Sequence, residues 1–560
     1  MSTRTAPAPA PPAESTWRNR YAGTARLVRL ALRRDRIQLP VWLLALTALQ
    51  AFSASSVLGL YPTEADLRSF SIATAASPVA LATNGLVSGY SAGAVLACQI
   101  VMPLSLAAAL MTTLLVVRHT RQNEETGRAE LVESAVVGRA ALLTAALMVA
   151  VGANLLLGLL NIVVLTAQGL PLVGSVALGA AVAAAGIAFA AIAAVTAQVS
   201  DSARTANGLA GAALGVAFLL RAVGDMTGTV THDGTRVISG WPTWLSPIGW
   251  AEQIRPYDDN TWWLLALPVA FALVVGSVGF ALTEHRDVGS GLVPTRPGPA
   301  RASRSLPTTL GSAWRMQRTI LFWWAFGTGV LAVVYGAIGD QIDDFLGEGD
   351  QVADMMEQLG GGTTDMVDAY FAAIFGITAI AVSGYAVQAL LRMRTEEAAG
   401  RLEPVLATAV SRPRWMLAHL GLVAAGIVAL QLLTGAATGL AYGLVVGDVP
   451  DQVVRLTGAA LVIVPAILVV AAAVALLFGS LPAWSAGLSW SVLALCLTFG
   501  FLGSLLDLPE SVRNLSPFTH VPAVPAAQVT ATPLAWLTVL ALGIGAAGVV
   551  LFRRRDLTTS

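Results

Sequence analysis

The chain has 560 residues, of which 56% are hydrophobic and only 12% charged, with a mean hydropathy of +0.70. Soluble domains carry roughly a quarter charged residues, so a soluble enzyme or a nucleic-acid-binding protein is excluded and a polytopic membrane protein is implied. The 33 basic and 33 acidic residues cancel, every basic residue is Arg, and without Lys the chain has no Walker-type phosphate loop of its own.

In chain order, residues 1–16 (MSTRTAPAPAPPAEST) are rich in Pro and Ala and read as a disordered tail. They do not read as a cleaved signal, because the first apolar run comes late, is too long and lacks a small-residue cleavage site. From Trp17 to Arg36 the helical period puts Arg26, Arg29, Arg33 and Arg36 on one face and Leu27, Leu30 and Ala31 on the other. That is the pattern of an amphipathic helix in the membrane interface, with Arg towards the lipid phosphates.

Runs long enough to cross the hydrocarbon, about 20 residues each, then follow near 37–60, 92–117, 140–167, 173–199, 206–224 and 262–283. A second set lies near 320–339, 367–391, 415–446, 456–479, 484–506 and 533–552. The fold class expected is therefore all-α and polytopic, with about twelve spans, six per half. The run 415–446 is long and is expected to tilt or break near Gly435.

The two halves repeat at an offset of about 270 residues. Leu245-Ser246-Pro247 recurs as Leu515-Ser516-Pro517, each shortly before the last span of its half, and Arg286-Asp287 recurs as Arg555-Asp556 just after it. Trp314 to Arg318 occupies the place of the first amphipathic helix. The domain reading is a tail at 1–16, a first membrane half at 17–290, a Pro/Arg/Ser linker at 291–312 and a second half at 313–560, each half with its own interfacial helix.

With the N-terminus in the cytoplasm, six of the 33 Arg (Arg68, Arg221, Arg236, Arg255, Arg455, Arg513) fall outside and the rest inside. The positive-inside rule selects this topology. Both termini are then cytoplasmic, and the acidic run from Asp340 to Asp368 is external. Six spans per half give both halves one orientation, a parallel repeat.

The chemistry-bearing inventory is thin. The span interiors hold amides (Gln50, Asn154, Asn161, Gln388, Gln431) and no central carboxylate, His or Arg. Asn154, Asn161, Gln388 and Gln431 could line a path for a polar part of a cargo, although such amides more often tie helix to helix. The five His show no ligand spacing, and Cys98 and Cys496 lie in apolar runs. The acidic run matches no calcium loop. No metal or resident cofactor is expected. The short segments around Leu245, Ser246 and Pro247 and around Leu515, Ser516 and Pro517 are too broken to cross and read as external re-entrant pieces.

One charged island occurs twice. RHTRQNEETGRAELVESAVVGR (118–139) and RMRTEEAAGRLEPVLATAVSRPR (392–414) align on Gly127 and Gly400. Arg121 then matches Arg394, Glu124 matches Glu397, Arg128 matches Arg401, Glu130 matches Glu403, and Arg139 matches Arg412; Glu125 and Glu396 flank the aligned carboxylates. Each island reads as an amphipathic helix that begins acidic, which suits the helix macrodipole. Its duplication suits a docking surface for a two-fold partner.

An interfacial helix, six spans, a charged cytoplasmic segment between spans two and three and a re-entrant piece before span six resemble the membrane subunit of an ABC-2-type (type V-like) exporter. The fused halves and the EETGR/EEAAGR islands resemble actinobacterial polyketide-antibiotic exporter permeases of the tetronasin type. The resemblance implies a separate ATP-binding subunit, two copies per chain, which binds the ATP and Mg. It implies coupling through Glu124 to Glu130 and Glu397 to Glu403, and efflux of hydrophobic compounds from a bacterial cell membrane. The alternatives are an ion-coupled secondary transporter of twelve spans and a non-transporting membrane scaffold.

Overall fold

The computed structural model describes residues 20–128, 137–287, 289–293, 298, 300–301, 306, 308–339, 366–501, 503 and 508–556. The expected tail at 1–16, Glu130 and most of the acidic run lie outside them. The chain divides into two compact units, Met1–Pro297 and Gly298–Ser560. The described residues are almost wholly helical; their strands are one antiparallel pair, Thr229–Val230 with Val237–Ile238. Among the described residues, eleven helices are long and apolar enough to cross a membrane, which makes this an all-α polytopic membrane protein.

In the first unit helix α1 (Thr24–Arg34), the expected interfacial helix, buries Leu27 and Ala31 and exposes Arg26, Arg29 and Arg33. Leu30, expected on the apolar face, is 47% exposed. Arg36 is exposed just past the end of α1. The chain turns there because Pro40 falls in the first turn of α2 (Gln38–Leu60), where a proline can start a helix but not continue one. Two short helices that the sequence reading did not place, α3 (Glu64–Ala76) and α4 (Pro78–Thr83), follow. The remaining long helices are α5 (Ala92–His119), continued by α6 (Arg121–Glu125), then α7 (Ala141–Ala167), α8 (Leu172–Val199) and α9 (Ala203–Met226). A 3-10 turn (Trp241–Leu245) and α10 (Pro247–Gln253) precede α11 (Ala266–Glu284). Leu96, Leu104, Leu157 and Leu178 are among the residues of the core between α5, α7 and α8.

The second unit differs where its sequence lacks breakers. Its first helix, α12 (Thr309–Ile338), runs unbroken for 30 residues and absorbs the expected second interfacial helix, because no proline interrupts it. Then come α13 (Met366–Ala398), α14 (Leu402–Leu406) and α15 (Arg412–Val446). The expected break near Gly435 is absent: α15 is continuous over 35 residues. Its glycines serve contact instead. A Cβ on Gly435, Gly439 or Gly443 would lie 2.5, 2.6 and 2.6 Å from the Cα atoms of Thr457, Val453 and Val449. Spaced by four, these positions form one stripe against α16 (Val449–Val462), so the two backbones touch.

Helix α16 leads almost directly into α17 (Val464–Ser480), and α20 (Ala531–Arg554) closes the unit. Of the eleventh expected span, 484–506, the described residues form α18 (Ser485–Cys496) and a π-turn (Leu497–Phe501), and residues 502 and 504–507 lie outside the described set. Between that π-turn and α20 the helical elements of the described chain are α19 (Glu510–Arg513) and a 3-10 turn (Pro517–His520).

Candidate functional site

The acidic pairs of the two islands do not begin helices; they end them. Glu124 and Glu125 fall in the last residues of α6, and Glu396 and Glu397 in the last turn of α13. Gly127 and Gly400 stop both, with φ of +71° and +67°. Their amides bond back to the carbonyls of Glu124 and Glu397, each at 3.0 Å. Only glycine takes this left-handed turn without steric penalty. A carboxylate at a helix C-terminus opposes the macrodipole, so each helix end needs a cation, and each has one.

Arg286, just past α11, donates to both oxygens of Glu124, at 2.7 Å (Oε2) and 2.5 Å (Oε1). Arg555, just past α20, donates to both oxygens of Glu397, at 2.7 and 2.8 Å. Both carboxylates are buried, with side chains 5% and 3% exposed. The third member repeats too. Arg139 donates to the carbonyl of Arg286 at 2.5 Å, and Arg412 donates to the carbonyl of Arg555 at 2.6 Å. Three residues that the sequence repeats separately, Glu124/Glu397, Arg139/Arg412 and Arg286/Arg555, thus form one cluster in each unit. Parallel two-bond pairing of guanidinium and carboxylate is the strongest form of this contact.

Around the cluster the first island is fastened residue by residue. Arg121, fully buried, donates to the carbonyls of Ala197 (3.0 and 2.8 Å) and Ser290 (3.1 Å) and to Glu124. Asn123 accepts from Arg34 of α1 at 2.7 Å. Glu125 accepts from the Ala203 amide at 3.0 Å, an anion at the start of α9. Asp35, at the end of α1, is buried against His119 and lies 3.4 Å from Arg118 Nε. Burial opposes the Asp35 charge, but the His119 hydrogen bond and the nearby Arg side chains outweigh it and hold the carboxyl below its ordinary range.

The second island is looser. Glu396 is bridged by Arg401 (2.8 and 3.1 Å) and Arg392 (3.1 Å). Arg394 is half-buried, whereas its counterpart Arg121 is wholly enclosed. Arg555 also sits 5.1 Å from the ring centres of Phe478 and Phe552, a stacking absent from the described contacts of Arg286. Among the described residues, the charges left exposed beside the glycine turns are mixed: Glu125 and Arg128 in the first island, Arg401 and Glu403 in the second.

The Leu-Ser-Pro repeats also share a geometry. Ser246 Oγ donates to the Ala217 carbonyl of α9 at 2.7 Å, and Ser516 Oγ donates to the Cys496 carbonyl at the end of α18 at 3.2 Å. Each serine pins its segment to the preceding apolar helix. Leu245 and Leu515 are exposed, while Pro247 and Pro517 are buried. Of the four amides, Asn154 ties α7 to Thr112 of α5 at 2.8 Å, and Gln388 accepts from Trp324 at 2.7 Å. Asn161 and Gln431 are fully buried with neither amide atom hydrogen-bonded.

Sequence reading missed a buried charge cluster. Arg221 and Asp225 lie within α9 and Glu252 on α10, all enclosed; the i, i+4 spacing of Arg221 and Asp225 was the available signal. Enclosed charge thus lies at the end of α9, whereas the sequence reading concerned the span interiors and placed Arg221 outside. Among the described residues no group of three His, Cys, Asp or Glu could hold a metal ion.

A family profile described as "Multidrug efflux system permease Rv1217c, C-terminal domain" matches residues 306–553. Over 537 residues the chain is 40% identical to the multidrug efflux system permease protein Rv1217c of Mycobacterium tuberculosis (strain ATCC 25618 / H37Rv), a match spanning 96% of this chain and 95% of that one.

Proposed function

We propose, from the premise that this chain belongs to the family of multidrug efflux system permeases, that it is the membrane subunit of an ATP-driven exporter. The observation that carries this reading is the pair of matching clusters, Glu124–Arg286–Arg139 and Glu397–Arg555–Arg412. Each joins the end of its unit's second span to the end of its last span, while an exposed mixed-charge strip continues the same helix end.

In this reading the exposed strips, Glu125 and Arg128 with Arg401 and Glu403, meet two copies of a separate ATP-binding subunit. That subunit holds ATP and Mg, since this chain has no Lys for a phosphate loop. Glu124 and Glu397 are enclosed and act as positioning residues. A push on the strip passes through the charge pair to the last span of the same unit, because a buried two-bond pair resists bending more than a single contact does. Cargo passes by alternating access. Its class is hydrophobic, such as polyketide or ionophore antibiotics or other drugs. Both termini face the bacterial cytoplasm, as the Arg distribution favours.

The test is reconstitution in lipid vesicles with a candidate ATP-binding subunit. Drug-dependent ATP hydrolysis is expected, and the double charge reversal Glu125→Arg with Arg401→Glu should abolish it while the chain stays folded. Drug movement with neither nucleotide nor second subunit present would overturn the reading. A second reading, an ion-coupled transporter, is favoured by one observation, the enclosed Arg221–Asp225–Glu252 cluster. It predicts uptake driven by a pH gradient alone.

A further inference from the structure

Arg221 is fully buried and its donors are assigned one by one. Nη1 donates to the Ala82 carbonyl at 2.7 Å and Nη2 to the Leu81 carbonyl at 2.8 Å, both on α4. Nε carries one hydrogen, and two carboxylate oxygens converge on it: Glu252 Oε2 at 2.8 Å and Asp225 Oδ2 at 2.9 Å. One N–H cannot satisfy both, and Asp225 Oδ2 is left without a hydrogen bond. Asp225 Oδ1 accepts from Thr243 at 3.0 Å, and Glu252 Oε1 has no partner.

The charge does not balance either. The side chains of Arg221, Asp225 and Glu252 are 0%, 0% and 3% exposed, and two negative charges face one positive. The other elements packed on the cluster contribute no cation among the described residues. Helix α4 offers carbonyls, α5 offers the thiol of Cys98, and the 3-10 turn offers the Thr243 hydroxyl. An uncompensated buried charge is far costlier than a proton taken from water.

We propose that Asp225 and Glu252 share one bound proton beneath Arg221, and that this proton keeps α10 and α4 seated on α9. A hydrogen between the two carboxyl groups supplies the donor that Asp225 Oδ2 lacks and brings the cluster to neutrality. Burial and the Asp225 charge raise the Glu252 carboxyl well above its ordinary range, against the pull of Arg221. A group with a raised folded-state pKa favours folding fully below its unfolded value and loses that contribution as pH rises through the folded value. The seat therefore loosens with alkali. Ser485–Cys496, the corresponding helix of the second unit, has no charged residue.

The test is infrared spectroscopy of the purified full chain at neutral pH, with thermal melting across pH as a second readout. The wild-type spectrum should contain a protonated-carboxyl band that disappears in Glu252→Gln. Asp225→Asn should also remove it, because Arg221 then faces a single carboxylate and the enclosed charges balance without a bound proton. Melting temperature should fall towards alkaline pH in wild type and stay flatter in Glu252→Gln. If Glu252→Gln does not fold, Asp225→Asn carries the spectral test alone. Absence of the wild-type band, its persistence in a folded variant, or an alkaline loss unchanged by Glu252→Gln would overturn the proposal.

Discussion

Arg286 closes on Glu124 through hydrogen bonds of 2.5 and 2.7 Å, although 162 residues separate them in the chain. Removing one partner leaves the other charged and enclosed, so Glu124→Ala should lower stability by about 3–5 kcal/mol. The double variant Glu124→Ala with Arg286→Ala should lose less than the two single losses combined. Chemical denaturation of the four proteins in one detergent measures the coupling; strict additivity would mean that the pair is not a structural unit. Glu397 and Arg555 should behave alike.

Gly127 and Gly400 take the left-handed conformation, and a Cβ added at either would meet nothing within 4 Å. Alanine at either site therefore meets backbone strain alone, roughly 1–2 kcal/mol. The expected outcome is a small drop in melting temperature with faster amide exchange confined to 121–127 or 396–401. Exchange rising throughout the unit would contradict a local role.

Gly439 meets backbone, which cannot move aside as a side chain tip can. Gly439→Val should cost at least about 1–3 kcal/mol as overpacking between α15 and α16. Gly458, on α16 with nothing within 4 Å of its Cβ position, is the control, and Gly458→Ala should be neutral or slightly stabilising through helix propensity. Comparable losses at both sites would remove the close-approach account of the α15 stripe.

Asp35 is held below the ordinary carboxylate range by its His119 bond and its Arg neighbours against the opposing effect of burial. A depressed folded-state pKa adds stability above the unfolded value and loses it as pH falls through the folded one. Asp35→Asn should accordingly melt lower than wild type at neutral pH, with the gap narrowing under acid. A gap that is constant with pH would assign the loss to packing.

Composition and apolar run length determined from sequence alone that the chain is all-helical and membrane-spanning, and the duplicated motifs showed which short segments recur along it. These properties are local: a span needs only enough consecutive apolar residues, and a repeat needs only similarity to itself. The sequence also marked Glu124, Arg139 and Arg286 with their three counterparts as recurring, without showing that they meet. Their meeting was decided by tertiary structure, because each cluster joins helix ends far apart in the chain and no periodicity encodes which ends become neighbours. The same reason hid the Arg221 cluster. An arginine near a span end reads as a loop charge until two carboxylates, one on its own helix and one on α10, are seen to enclose it.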